Sequence, residues 1–203
     1  MGKILILSIS AMMTFVFSAC DSDNSDSGMI TEADLTEREN AILSITAEQS
    51  FVFDYSTDGE YEELTVWVEK YEFGELVDDR LNLLNMAIEE DGSIILATSG
   101  ETDTENQLSF HNGISTNGNV GVSRNETTLP DETFAGIWGS NPHEMDPAEG
   151  ELVFASILYS SEEGGSSSLP MNFYEDVDEH INELEEYDIA FLLKGEFNRV
   201  EGE

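Results

Sequence analysis

From Ser50 onward the chain is written in short β-rich runs, each set off by Gly, Asn, Asp or Ser. This punctuation restricts the fold more than any other feature. Runs of about five to ten residues are too short for stable isolated helices, and joining parallel strands needs a crossover of a dozen or more residues. The runs are FVFDYS (51–56), LTVWVEKYEF (64–73), SIILATS (93–99), QLSFHNGI and NVGVS around Asn117-Gly118, ELVFASILYS (151–160) and DIAFLLKGEF (188–197). LNLLNMAI (81–88) shifts its apolar phase between Leu83 and Leu84, as at a bulge or in a helix. In the second run Leu64, Val66 and Val68 share one face and Trp67, Tyr71 and Phe73 the other, so it reads as a strand covered on both sides at its start. Ile189, Phe191 and Leu193 share a face in the last run. Ser56-Thr57-Asp58-Gly59 reads as a turn, and Asp91-Gly92 as a hairpin turn into the 93–99 strand.

Helical signals are fewer. Thr36 with Glu39 has capping-box spacing, as does Thr31 with Asp34, ahead of a short helix near 33–45. Phe173, Val177, Ile181 and Leu184 step by helical intervals and predict one amphipathic helix with acidic outer faces. Residues 125–150 hold Pro130, Pro142 and Pro147 and read as a long irregular connection anchored by Phe134, Ile137 and Trp138. The expected fold is therefore mainly β: an antiparallel β-sandwich or roll with one or two short helices. The βαβ alternation of a Rossmann fold is missing, and one domain over 31–203 is the simplest count.

Composition narrows the function classes. The 203 residues carry 44 Asp or Glu against 7 Lys or Arg, a formal charge of -37. Such a surface repels phosphate backbones, so a nucleic-acid partner is excluded. Most carboxylates must be solvated, and their repulsion suits a saline setting, a supply of divalent cations, or plain solubility beside anionic polymers. One cysteine excludes a disulfide framework and a Cys-rich zinc site.

That cysteine has an informative position. Lys3 precedes an uncharged stretch from Ile4 to Phe17, which is short for a permanent span, and the stretch ends in Phe17-Ser18-Ala19-Cys20. The segment resembles the lipobox of bacterial prolipoproteins, with Phe17 standing where Leu is usual. The resemblance implies a signal peptide over 1–19, lipidation of Cys20, and a body held on the outer face of the cell membrane by its acyl chains. Residues 20–30, with DSDNSDSG at 21–28, read as the lipidated cysteine and a flexible acidic tether. The layout also resembles small, functionally unassigned Gram-positive cell-surface lipoproteins, a likeness that carries no active site.

Candidate chemistry is sparse. Asp23, Ser25, Ser27, Gly28, Ile30 and Asp34 follow the spacing of a calcium loop, but two ligand positions are Ser and the twelfth is Asp rather than Glu. A plain linker explains the same residues, and no cofactor is expected beyond such calcium. Glu101, Asp103 and Glu105, Asp131-Glu132, Glu162-Glu163 and Asp176-Asp178-Glu179 supply further oxygens, which so acidic a chain clusters by chance. His111, His143 and His180 show no metal-ligand spacing. The sequence contains no Gly-x-Ser-x-Gly, Walker loop or Gly-x-Gly-x-x-Gly, so nucleotide is not expected. Trp67 and Trp138 could stack on sugar rings, though Trp in an alternating strand belongs first to the core.

The expectation is a membrane-anchored, non-enzymatic binding module for a wall glycan or another exported protein, with no catalytic residues. Two alternatives stay open: an envelope hydrolase using paired carboxylates, and a structural or salt-adaptive surface protein.

Overall fold

The structure, a computed structural model, describes residues 28–100, 106–129, 135–161 and 167–199. Among the described residues ten strands form two antiparallel sheets. The first sheet has the order β1-β2-β5-β6-β7, from Met29–Glu32, Gln49–Ser56, Asp91–Gly100, Gln107–Thr116 and Asn119–Thr128. The second has the order β4-β3-β10-β9-β8, from Glu75–Ala87, Tyr61–Glu72, Ile189–Arg199, Leu152–Ser160 and Ala135–Ser140. Two helices, α1 (Glu37–Thr46) and α2 (Val177–His180), complete the expected mainly β fold with few short helices.

Alternation builds the core. Phe51, Phe53 and Tyr55 of β2, Ile94 and Leu96 of β5, and Phe110 and Ile114 of β6 face Leu64, Val66, Val68, Phe154, Phe191 and Leu193 of the other sheet. Ring contacts stitch the sheets together, Phe53 to Phe154 at 5.3 Å and Phe110 to Phe191 at 4.9 Å between centroids. At one margin Ile30 and Met145 exchange backbone hydrogen bonds of 2.9 and 3.0 Å, tying the short edge strand β1 to the opposite side. At the other margin β4 lies against β6 and β7.

The two outer faces differ. Over the second sheet, Tyr71, Val153, Leu158, Ala190 and Leu192 pack under Leu169, Phe173, Leu184 and Tyr187 of the segment preceding β10. The expected double coverage of β3 therefore holds for Trp67 and Tyr71, while Phe73 sits in the β3–β4 turn with φ 51° and is exposed. Among the described residues the first sheet has only α1 near its outer side, and α1 buries no residue.

Several expectations need correction. Residues 173–184 are not one helix: 3-10 turns at Met171–Phe173 and Ile181–Glu186 flank the four-residue α2, and the apolar stripe still reaches the sheet through Phe173 and Leu184. Packing of the stripe, rather than helical propensity, decided this segment. Asp91-Gly92 is not a hairpin turn, because β4 pairs with β3 and the chain crosses between sheets before β5 begins at Asp91. Of the two readings left open for the 81–88 run, the bulged strand is the one found: β4 runs to Ala87, Val66 faces Leu84 and Val68 faces Leu81, so Asn82 and Leu83 form a bulge, with Asn82 at φ 53°. Residues 125–150 are less irregular than expected, since β7 runs to Thr128 and β8 contains Trp138, which is half exposed rather than an anchor. Phe134 lies outside the described residues.

Candidate functional site

Among the described residues, the open face of β5, β6 and β7 in the first sheet combines exposed apolar side chains with two adjoining hollows. Register fixes which side chains it shows. Ile94, Leu96 and Thr98 face inward with Ile114, Asn112 and Phe110, so Ser93, Ile95, Ala97 and Ser99 must point outward. By the same pairing β6 presents Ser109, His111, Gly113 and Ser115, and β7 presents Val120, Val122, Arg124 and Glu126. Glu126 is the sole carboxylate among these residues of β5, β6 and β7, in a chain where acids outnumber bases 44 to 7; on the neighbouring β2, Asp54 shares the face and accepts from Ser93 Oγ at 2.8 Å. Val120 and Val122 are 64% and 76% exposed, a pair of apolar side chains left facing water. The Asn117-Gly118 turn, with φ of 45° and 77°, has the left-handed pair of a tight hairpin and holds the register that aligns His111 with Arg124.

Two hollows run along this face and meet at Ala97, His111 and Arg124. One, of about 490 Å³, lies between α1 and the sheet, walled by Leu43, Thr46 and Ala47 and by Ser99, Ser109 and Glu126. The other, of about 420 Å³, is lined by Ile95, Ala97, Gly113, Val120 and Val122. Helix α1 is held by its own capping box: the Glu39 amide donates to Thr36 Oγ1 at 3.3 Å, and the Thr36 amide donates to Glu39 Oε2 at 2.8 Å. The Thr36 hydrogen bonds also hold the Glu39 carboxyl below its ordinary pKa.

At the junction three side chains form a line. Arg124 Nε donates to His111 Nδ1 at 3.1 Å, and His111 Nε2 lies 3.0 Å from Ser99 Oγ. A guanidinium is only ever a donor, so Nδ1 must accept and the neutral ring carries its proton on Nε2. That proton points at Ser99 Oγ. The imidazole therefore cannot take a proton from Ser99, and the arrangement is no hydrolytic dyad despite its spacing. Instead Ser99 is left with its own hydroxyl hydrogen to give. Burial, and then the Arg124 charge, lower the His111 pKa, which keeps the ring in this neutral form. The line is a set of donors facing a groove.

A second polar cluster lies on the covered sheet. Lys194 Nζ is 3.0 Å from Glu69 Oε1 and 2.8 Å from Glu151 Oε2, Tyr71 OH donates to Glu69 Oε2 at 2.7 Å, and Arg80 stacks 4.6 Å above the Trp67 ring. Burial works against the Lys194 charge, but the hydrogen bonds and charges of Glu151 and Glu69 outweigh it and raise its pKa. Burial and the Glu69 hydrogen bond likewise raise Tyr71. Glu69 is 7% exposed and fully engaged, so this is a structural ion pair set into the wall of the fold. It borders a cleft of about 410 Å³ walled by Glu149, Glu175, Asp176 and Asp178.

The residues singled out by sequence fall elsewhere. Cys20, Asp23, Ser25 and Ser27 lie outside the described residues, as do Glu101, Asp103, Glu105, Asp131, Glu132, Glu162 and Glu163. Ile30 is a core residue of β1, and Asp34 is exposed between β1 and α1. Asp176 caps α2 by accepting from the Glu179 amide at 3.0 Å. His143 lies 3.4 Å from Glu175, and His180 bonds Glu183 and Asn172 at 2.9 Å each, so His111 stands apart from both. Among the described residues no three His, Cys, Asp or Glu side chains gather as metal ligands. Trp67 is core. Ser99 and Arg124 were not foreseen; the hairpin signal at Asn117-Gly118 held the information, because counting outward from it pairs His111 with Arg124.

Across the described residues these features define an antiparallel sandwich of two five-stranded sheets, one covered by the 169–187 segment and one with an open outer face. The YgaN domain family model matches residues 29–197, and the chain belongs to that family. No curated protein and no solved structure matches the chain.

Proposed function

We propose that the protein is a lipid-anchored, extracytoplasmic binding module without catalytic machinery, and that the groove between α1 and the outer face of β5, β6 and β7 is its ligand site. One observation carries this reading: a face of apolar and hydroxyl side chains, open to water, on a chain whose other surfaces are crowded with carboxylates. Exposed apolar surface of this kind marks interaction sites. The hollows are of the size that small ligands or one strand of a partner would fill. The protonated Nε2 of His111 favours holding a ligand over attacking one.

Anchoring rests on the Phe17-Ser18-Ala19-Cys20 segment. Acyl chains contribute about 0.8 kcal/mol per buried methylene, which suffices for stable attachment when two are present. In phase partition with a non-ionic detergent, the full chain expressed in a bacterium is expected in the detergent phase and the Cys20→Ala variant in the aqueous phase. Equal partition of the two would remove the anchor from the proposal.

The groove is tested with the neutral fluorophore N-phenyl-1-naphthylamine, which brightens in apolar sites. Saturable one-to-one binding is expected, and Ala97→Glu, which puts a charged chain where the two hollows meet, should abolish it with little change in melting temperature. A wild-type protein that gives no saturable signal would refute the groove as a site.

A further inference from the structure

We infer that the groove takes a single-chain amphiphile with a monoanionic carboxylate head, seated at Arg124 with its tail along Ile95, Gly113, Val122 and Val120. The inference rests on the groove being the ligand site and adds the chemistry of what enters it.

The head is read from the donors. Arg124 gives its Nε to His111, and no ion pair with a carboxylate engages the rest of its guanidinium among the described residues. Lys70, Lys194 and Arg199 are each matched to a glutamate, and Arg80 lies over the Trp67 ring, whereas Arg124 faces an apolar groove with its guanidinium edge turned to no carboxylate among the described residues. Ser99, receiving the proton of His111 Nε2, has a hydroxyl hydrogen left to donate. An all-donor junction calls for an acceptor, and a guanidinium edge matches a carboxylate in two parallel hydrogen bonds. A single positive charge with Glu126 two residues along the same face favours one negative charge over two, which selects carboxylate over a phosphate monoester.

The tail is read from the floor. Gly113 lies opposite Val122, and Ile95 lies opposite Gly113, so a channel without side-chain obstruction at its centre passes between two apolar rows. From Arg124 to Val120 the strand runs roughly 13 Å at its usual rise, the length of a medium alkyl chain. Net charge opposes this ligand at long range, but within a Debye length the acid-poor face and Arg124 set the local field.

That opposition makes the experiment discriminating, because non-specific attraction to a chain of charge -37 would favour cationic amphiphiles. Sodium dodecanoate, dodecyl phosphate, dodecanol and dodecyltrimethylammonium, each below its aggregation threshold, would be titrated against N-phenyl-1-naphthylamine bound to the full chain carrying Cys20→Ala. Dodecanoate is expected to displace the fluorophore at concentrations about tenfold lower than any of the other three. Arg124→Gln should erase that preference and Arg124→Lys should restore part of it, with melting temperatures confirming that both variants fold. Equal displacement by dodecanol, stronger displacement by dodecyl phosphate or the cation, or an unchanged preference in Arg124→Gln would overturn the carboxylate assignment and leave the groove standing. Failure of the fluorophore itself to bind would take both down.

Discussion

Single residues set the tolerance of this sandwich at identifiable points. A Cβ added at Gly195 in β10 would lie 2.5 Å from a ring carbon of Phe154 and 3.1 Å from the Thr65 carbonyl oxygen. Neither can retreat easily, since Phe154 packs on Phe53 between the sheets and Thr65 belongs to the paired neighbour β3. Gly195→Ala is therefore expected to lose roughly 1–3 kcal/mol in denaturant unfolding, as overpacked cores do. Tyr159 gives a pH-dependent expectation. Burial, and then the Glu48 charge, push its pKa up to about 12. The folded state favours the neutral phenol, so its contribution is full below about pH 10, where unfolded tyrosine begins to ionise, and is lost as pH rises through about 12. Wild type should thus lose on the order of 2 kcal/mol more than Tyr159→Phe between pH 9 and pH 12. Parallel unfolding curves for the two proteins would contradict the assignment. None of this residue-level detail was legible beforehand: the sequence marks Gly195 as a glycine in a strand, but only the Phe154 ring and the Thr65 carbonyl of the strands on either side make it intolerant.

Elements reveal how far local signals reach. The Thr36–Glu39 capping box was legible from four residues, and it starts α1 because both reciprocal hydrogen bonds are made within that span. Since α1 buries nothing, its order depends on the cap. Thr36→Ala should fray α1 locally, seen as faster amide exchange from Asn40 to Thr46, while global melting stays nearly constant. A large fall in melting temperature would mean that α1 is integral to the core. The 173–184 segment shows the limit of periodicity. Its apolar spacing correctly placed Phe173 and Leu184 against the sheet. It did not determine helix, because a few anchors on the covered face of β3, β9 and β10 suffice to hold 3-10 turns and a single α-turn. The Asp91-Gly92 signal failed for a related reason, as turn chemistry does not say which sheet the next strand joins.

At the scale of the molecule, charge and architecture meet. A formal charge of -37 on so small a body stores repulsion that screening relieves, since the Debye length falls from ~10 Å at 0.1 M to ~3 Å at 1 M salt. Melting temperature should rise with sodium chloride over this range; a flat response would show the carboxylates to be already compensated. Calcium at matched ionic strength separates screening from a specific site, for only native-state binding adds to the shift. The sequence by itself determined the fold class and the long paired strands, because alternation and turn residues act over a few positions and the chain repeats them. It also carried the acid excess, which is a sum and needs no geometry. Only the tertiary structure decided which sheet face stays open. That outcome depends on the 169–187 segment covering the second sheet, through contacts with β3 and β9 far apart in sequence, while α1 buries no residue against the first. The line of Ser99, His111 and Arg124 is the same kind of result: three side chains from three strands, joined by register.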